Sequence, residues 1–491
     1  MTGQDIICLL PLIIPAGVSV LLMLTISIYR SHAAACLLTL AGLAAAAASL
    51  PLAAAYGPRQ VTSLLVIDGF ALFYMGLILA ATFAVVVLAY AYLRGLPGQR
   101  EELYLLLLLA ATGAGVMVAS SHFAALFLGL ELLSSSLFAL IAYPRGRANI
   151  EAGFKYLVLA SVSTSFLLFG MALVYAGTGT MEFSRLGAAA AAGGIYFRAG
   201  LGLLFIGLAF KLALVPFHMW TPDVYQGAPA PVTAFVATVS KVGVFGLLLR
   251  FFSQVGLLGH GHLFLLFTLI AIASMFAGNL LALLQDSVKR LLAYSSISHL
   301  GYLLVAFMAG GALGTTAVTF YLSAYTVTIL AAFGIVGTVA GQSPAGPEAD
   351  AINDFRGLFW RRPWPAAALA GALFSLAGIP MTAGFIGKFF LIDAGAGASL
   401  WLLTLSLVAS SGIGLYYYLR LIVIMYLRPQ PGRAGTRRGR TAAAASESES
   451  RAAAYPWAAG VVLTALMLAI IWLGVYPAPL IDAIRRSVTL P

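Results

Sequence analysis

Five ionisable side chains sit in stretches that are otherwise apolar: Glu131 in LGLELLSSS, Lys211 in AFKLALVPFHMW, Lys241 in TVSKVGVFG, His299 in YSSISHLGY and Lys388 in GIPMTAGFIGKFF. If a bilayer surrounds them, each charge costs about 2.5 to 3.5 kcal/mol near the membrane centre and needs a partner or a purpose. Proton carriage is one such purpose. Burial disfavours the charged amine of a lysine and a nearby carboxylate favours it, so shifting the carboxylate switches the lysine between holding and releasing its proton. Two charges about 6 Å apart at an effective dielectric of 20 interact by about 2.8 kcal/mol, enough to drive such a switch.

Each residue also has a plainer reading. Lys and Arg near helix ends snorkel to the interface, and this is the expectation for Lys155, Arg250 and Arg420. Lys241 is too deep for that: about twelve residues, roughly 18 Å at 1.5 Å per residue, separate it from either end of its apolar segment. His299 reads either as a hydrogen-bonded core histidine or as a relay, and Ser295, Ser296 and Ser298 beside it favour the relay because they hold water.

The elements that position these groups are membrane helices. The chain has 491 residues, 62% hydrophobic and 9% charged, with a mean hydropathy of +1.00. Soluble domains carry roughly 25% charged residues. Apolar stretches of about 20 residues recur throughout, each long enough to cross a hydrocarbon core as a helix, and they lack the alternation of barrel strands. A sliding window of about 19 residues predicts about 14 spans, so the fold class is an all-α polytopic membrane protein. Pro216 and Pro380 each break a helix beside a lysine. Paired broken helices point to inverted repeats of five helices each, with boundaries at 103–255 and 262–427. Helices 1–3 occupy 1–102, a flexible basic loop 428–454, and the last helix 455–491.

Between the spans, sixteen Lys and Arg fall on one side and five on the other, which places both termini outside the cytoplasm. The net charge of +11 therefore reflects topology rather than nucleic-acid binding. Cys8 and Cys36 lie inside the first two apolar segments as small buried hydrophobes, so no disulfide, zinc or iron-sulfur site is implied. No glycine-rich phosphate loop follows a strand. The first apolar segment is too long and too weakly basic at its start for a cleaved signal.

At these residues the chain resembles the proton-translocating antiporter-like membrane subunits of NADH:quinone oxidoreductase (respiratory complex I). The resemblance is carried by LGLELLSSSLFAL, EAGFKYLVLASVSTSFLLFG, GLAFKLALVPFHMWTPDVYQGAPAPVTAFVATVSKVG, NLLALLQDSVKRLLAYSSISHLGY and LAGIPMTAGFIGKF. Within the family it is most similar to the N type: PDVYQGAP is typical of that type, the broken twelfth span carries Lys388 where the M type has glutamate, and the chain ends without the lateral helix of the L type. The resemblance implies that Glu131 pairs with Lys211, Lys241 is the central carrier, His299 links the two halves, Lys388 leads to the outer exit, and Lys155 is a further candidate. It also implies a bacterial inner-membrane location and other complex I membrane subunits as partners, with NADH, FMN, iron-sulfur clusters and quinone held in partner subunits and no cofactor here. The alternative is a subunit of a multi-subunit sodium/proton antiporter or of an energy-converting hydrogenase.

The charge asymmetry makes the first prediction: a topology reporter fused after Arg440 reads cytoplasmic and one fused after Leu490 reads outside. The reverse pattern would overturn the orientation.

Overall fold

The structure, a computed structural model, describes residues 2–94, 98–190, 194–256, 261–340, 350–428 and 457–488. Among these, thirteen helical stretches are long and apolar enough to cross a membrane. The first six are α1 (Gly3–Ile28), α2 (His32–Ala54), α3 (Gly69–Leu93), α4 (Glu102–Ala119), α5 (Phe123–Ala142) and α6 (Arg147–Thr178). A short helix, α7 (Phe183–Ala190), leads to α8 (Ile195–Leu212), α9 (Trp220–Gly227), α10 (Ala230–Ala237) and α11 (Val239–Val255). Then follow α12 (Gly261–Leu283), α13 (Val288–Ala309), α14 (Gly311–Ala340), α15 (Leu358–Arg361), α16 (Pro363–Ala377), α17 (Ala383–Gly397), α18 (Trp401–Tyr426), α19 (Trp457–Val475) and α20 (Ala478–Ser487). The expected twelfth span is split between α16 and α17, which completes the fourteen crossings. The expected basic loop at 428–454 lies outside the described residues from 429 onwards.

Caps and close packing fix these elements. Asp68 caps α3 by accepting from the Ala71 amide at 2.8 Å, and Ser287 caps α13 through the Arg290 amide at 3.2 Å. α4 packs on α5 so closely that a Cβ on Gly113 would lie 2.7 Å from the carbonyl oxygen of Gly129. Lipid tails are as apolar as leucine, so such backbone contact supplies the association that hydrophobic burial cannot. The same neighbour relations occur twice along the chain: α4 with α5, α5 with α6 and α6 with α8, then α12 with α13, α13 with α14 and α14 with α16 and α17. The α10–α11 span and α13 are buried all round, whereas α1, α6, α18 and α19 keep broad exposed apolar faces. Lys241 and His299 lie on those two central spans.

Three features depart from the expected pattern. A two-stranded hairpin, β1 (Arg59–Thr62) with β2 (Leu65–Ile67), joins α2 to α3. The eighth span, expected to be continuous, is interrupted at Thr238, with φ −117° and ψ −76°. There the threonine hydroxyl donates to the Ala234 carbonyl at 2.6 Å, a back-bond of the kind that bends helices. Finally, Arg250 does not snorkel. It is fully buried and forks onto Asp68, with Nη1 to Oδ2 at 3.0 Å and Nη2 to Oδ1 at 2.6 Å, while Nε donates to the Val118 carbonyl at 2.8 Å. Its guanidinium lies 4.8 Å from the Phe70 ring centroid. The counter-ion comes to the arginine, so the side chain has no need to reach water.

Breaking that pair leaves a lone buried charge. Asp68→Asn is expected to cost about 3 to 5 kcal/mol, and the double variant Asp68→Leu/Arg250→Met clearly less, in thermal unfolding of the detergent-solubilised protein. A double variant worse than the single one would show that the pair itself stabilises the fold.

Candidate functional site

The first break begins where α8 ends at Ala213, whose φ of 60° lies in the left-handed region. The Leu214 amide turns back to the Ala209 carbonyl at 2.9 Å, Pro216 follows in a cis peptide bond, and α9 starts at Trp220. A helix end leaves its last carbonyls without intrahelical partners and carries partial negative charge. One of these carbonyls, that of Lys211, accepts from the Lys241 ammonium at 2.8 Å. Lys241 is 0% exposed, and its Nζ lies 5.0 Å from the Trp220 ring centroid. A buried cation is thus satisfied by the carbonyl that the break sets free and by an aromatic face.

The Lys211 ammonium turns the other way, towards α5. It donates to Ser134 Oγ at 2.7 Å and lies 5.6 Å from the Tyr156 ring centroid. Glu131, one turn before Ser134 on the same helix, accepts from Thr164 Oγ1 at 2.8 Å. Among the described residues no ion pair joins Glu131 to Lys211, and the serine hydroxyl is the lysine's direct partner.

In the middle of the molecule the partners are hydroxyls. Ser296 receives the Tyr325 hydroxyl at 2.8 Å and lies 3.4 Å from that of Tyr225 on α9. One turn along α13, His299 bonds through Nδ1 to Tyr321 at 2.6 Å and through Nε2 to Tyr418 at 3.0 Å, and Tyr418 in turn meets Ser295. Residues of α13, α14 and α18 therefore meet at His299, and α9 joins the cluster one turn away through Tyr225 and Ser296. The Tyr302 ring lies 5.3 Å from the histidine ring and 5.6 Å from the Lys388 ammonium, spanning the remaining gap.

The second break repeats the physics of the first. α16 ends at Gly378 with φ 84°, Pro380 follows, and α17 starts at Ala383. The last carbonyl of α16, that of Ala377, accepts from Lys388 Nζ at 2.9 Å, and Ser411 Oγ accepts at 2.8 Å. A Cβ on Gly378 would stand 3.0 Å from Lys388 Cδ and 3.2 Å from its Nζ, so the absent side chain is what lets the ammonium lie against the break.

Lys155 is not part of this buried row. Its side chain is 44% exposed and pairs with Glu151 at 2.9 Å and Asp223 at 2.8 Å. Asp223 also meets Arg290 at 2.6 Å; burial pushes its carboxyl up, but the hydrogen bonds from Lys155 and Arg290 outweigh this and hold it below the usual range. Arg420, also expected at the interface, pairs with Asp286 at 3.0 Å. Sequence reasoning missed Lys289, which it counted only as a loop cation. It is 1% exposed and donates to the Ala228 carbonyl at 2.9 Å, beyond the C-terminal end of α9. His218, within the first break, is also buried. The signal for both was their position: His218 follows Pro216 and Lys289 opens the helix that carries His299. Among the described residues no three His, Cys, Asp or Glu side chains converge as a metal site would require.

Fold and site together define a polytopic membrane protein organised around a buried line of ionisable groups at two helix breaks. The chain belongs to the NADH:quinone oxidoreductase/Mrp antiporter membrane family, whose profile matches residues 120–414. It is 52% identical over 407 residues, 82% of each chain, to the NADH-quinone oxidoreductase subunit N of Ectopseudomonas mendocina (strain ymp). It superposes with a TM-score of 0.79 on a chain of respiratory complex I from Thermus thermophilus with bound aureothin, at 34% identity over 96% of this chain and 98% of that one. The membrane-bound sulfane sulfur reductase, an archaeal respiratory membrane complex, contains a chain that matches at 0.84 with 26% identity, covering 99% and 97%. The Mrp complex from Dietzia sp. DQ12-45-1b shares the fold at 0.84 with 22% identity, over 99% of this chain and 97% of that chain.

Gly378→Ala tests the second break. Alanine at a left-handed position costs about 1 to 2 kcal/mol, and displacing Lys388 from its acceptors adds about 1.5 to 3 kcal/mol. Gly57→Ala, also at positive φ but with no neighbour within 4 Å, is the control for backbone strain alone. Unfolding of the solubilised protein is expected to show a larger loss at position 378; equal losses would mean that Lys388 is free to move aside.

Proposed function

We propose that the chain is the N-type proton-translocating membrane subunit of a bacterial NADH:quinone oxidoreductase, carrying protons through Glu131, Lys211, Lys241, His299 and Lys388. Oxidation of NADH and reduction of quinone take place in partner subunits, which hold the FMN and iron-sulfur clusters, and this chain contributes the membrane path. The observation that carries the reading is Lys241, a fully buried amine whose acceptor is the carbonyl of Lys211 at a helix break. A structural cation at mid-membrane would need a fixed carboxylate, as Arg250 has in Asp68. Lys241 instead has neutral acceptors, which suit a group that gives up its proton and takes it back.

Charge at one station changes the neighbouring stations. Glu131 lies one turn from Ser134, so a shift of the α5 carboxylate alters how firmly Lys211 holds its proton, and Lys211 in turn acts on Lys241 across the break. The Ser296, Tyr325 and His299 cluster then links the first half to Lys388. The two halves, 103–255 and 262–427, are read as inverted repeats on the strength of their matching neighbour relations and broken helices. In the bacterial inner membrane both termini face outward, on the evidence of the basic asymmetry. Lys155, exposed and ion-paired, serves as an interface anchor near Asp223 rather than as a carrier. A sodium/proton antiporter subunit would share the fold, but the relative at 52% identity favours the oxidoreductase.

Replacement of Lys241 tests the carrier role. Arginine keeps a positive charge that does not deprotonate, whereas methionine keeps much of the bulk and removes titration. Both Lys241→Arg and Lys241→Met are expected to lower NADH-driven proton pumping at least tenfold in membranes, normalised to assembled complex. Full pumping by the arginine variant would refute the role.

A further inference from the structure

We infer that the face formed by α15 and the end of α18 is a binding site for the phosphate headgroup of an anionic phospholipid. Nothing in the proton path uses this face. Within nine residues, the segment from Asp354 to Arg362 carries Arg356, Arg361 and Arg362, with Trp360 between them, and α18 brings Arg428 alongside.

The arrangement is built rather than incidental. Trp360 is 55% exposed, yet its indole Nε1 is fixed by a hydrogen bond to the Tyr426 carbonyl at 3.1 Å, and Phe359 stacks on the Tyr426 ring at 4.6 Å. The Arg428 guanidinium lies 5.8 Å from the Trp360 ring centroid. Arg361 is held from below: its Nη2 donates to the carbonyls of Asp354 at 3.1 Å and Arg356 at 3.0 Å. Arg356 Nε is buried and has no hydrogen-bond partner among the described residues. Asp354 is the acidic side chain of this segment, and its carboxylate accepts from the Ala351 amide.

Guanidinium forks match phosphate oxygens two at a time, and tryptophan at the membrane surface places an apolar ring beside the acyl chains with its polar edge outward. A soluble anion would use the arginines but has no need of an exposed, fixed indole. A lipid uses both, so charge and aromatic placement together select a phospholipid headgroup. On the orientation proposed above, the face lies in the cytoplasmic leaflet, where anionic lipid attracts basic side chains.

The test is photo-crosslinking on the intact membrane complex containing this chain. A phosphatidylglycerol with a diazirine close to the headgroup is compared with a phosphatidylcholine carrying the same group, and labelled peptides are read by mass spectrometry. Neither arm depends on topology or pumping, so failure here is distinct from failure of the function proposed above. The anionic probe is expected to label the 356–364 and 420–428 peptides in excess over the neutral one, with inorganic phosphate unable to compete. Arg361→Gln and Arg428→Gln are each expected to weaken the excess roughly fivefold, while lysine at both positions retains part of it. Equal labelling by the two probes, an excess abolished by inorganic phosphate, or an excess indifferent to both glutamine substitutions would overturn the proposal. If the glutamine variants do not assemble, the comparison of the two probes on the unmodified complex decides alone.

Discussion

The organising interaction is a lysine ammonium held by the last carbonyls of an interrupted helix. At mid-membrane an unpaired carbonyl and an unpaired amine are both costly, and each resolves the cost of the other. Lys241 does this at the end of α8 and Lys388 at the end of α16. Because the acceptor is neutral, the pairing tolerates a lysine with or without its extra proton. A carboxylate partner would fix the charge, as Asp68 does for Arg250. The contrast between those two kinds of buried cation separates lysines held by neutral acceptors from an arginine held by a fixed charge.

The breaks, the hydroxyl cluster and the all-round burial of α11 and α13 follow from that interaction. A helix must end inside the membrane to expose carbonyls, so proline and a left-handed residue are needed beside each lysine. Ala213 and Gly378 fill the left-handed position, and only at Gly378 does the side chain's absence also make room for the amine. The central spans cannot face lipid because their polar groups, Ser295, Ser296 and His299 among them, must all find protein partners.

Much of this was legible in the sequence because membranes amplify composition. Apolar length marks a span, and a lysine twelve residues from either end cannot be mistaken for an anchor. Pro216 and Pro380 announced both breaks. What was hidden depended on tertiary partners. Thr238 bends the eighth span through a bond to its own backbone, which a threonine in an apolar run does not advertise. Arg250 looked like an interface residue because its partner Asp68 lies far away in the chain and meets it only after folding. The expected Glu131 to Lys211 pair is not a direct contact: the lysine donates to Ser134 and the carboxylate accepts from Thr164, since side-chain reach between helices is set by packing that the string of residues does not encode.

The loop of the first break is gripped from the other half of the molecule. The Val215 amide donates to Ser274 on α12 at 3.0 Å, and beyond the far end of α9 the Ala228 carbonyl is taken by Lys289 on α13. If the halves arose as copies of one ancestral unit, these cross-ties have since made each incomplete without the other. Expressed alone, the first half would present an orphaned amide and carbonyl in the most sensitive part of its path. On that reading the separation could not simply be reversed: a cut between α11 and α12 would part the Val215 amide from Ser274 and the Ala228 carbonyl from Lys289.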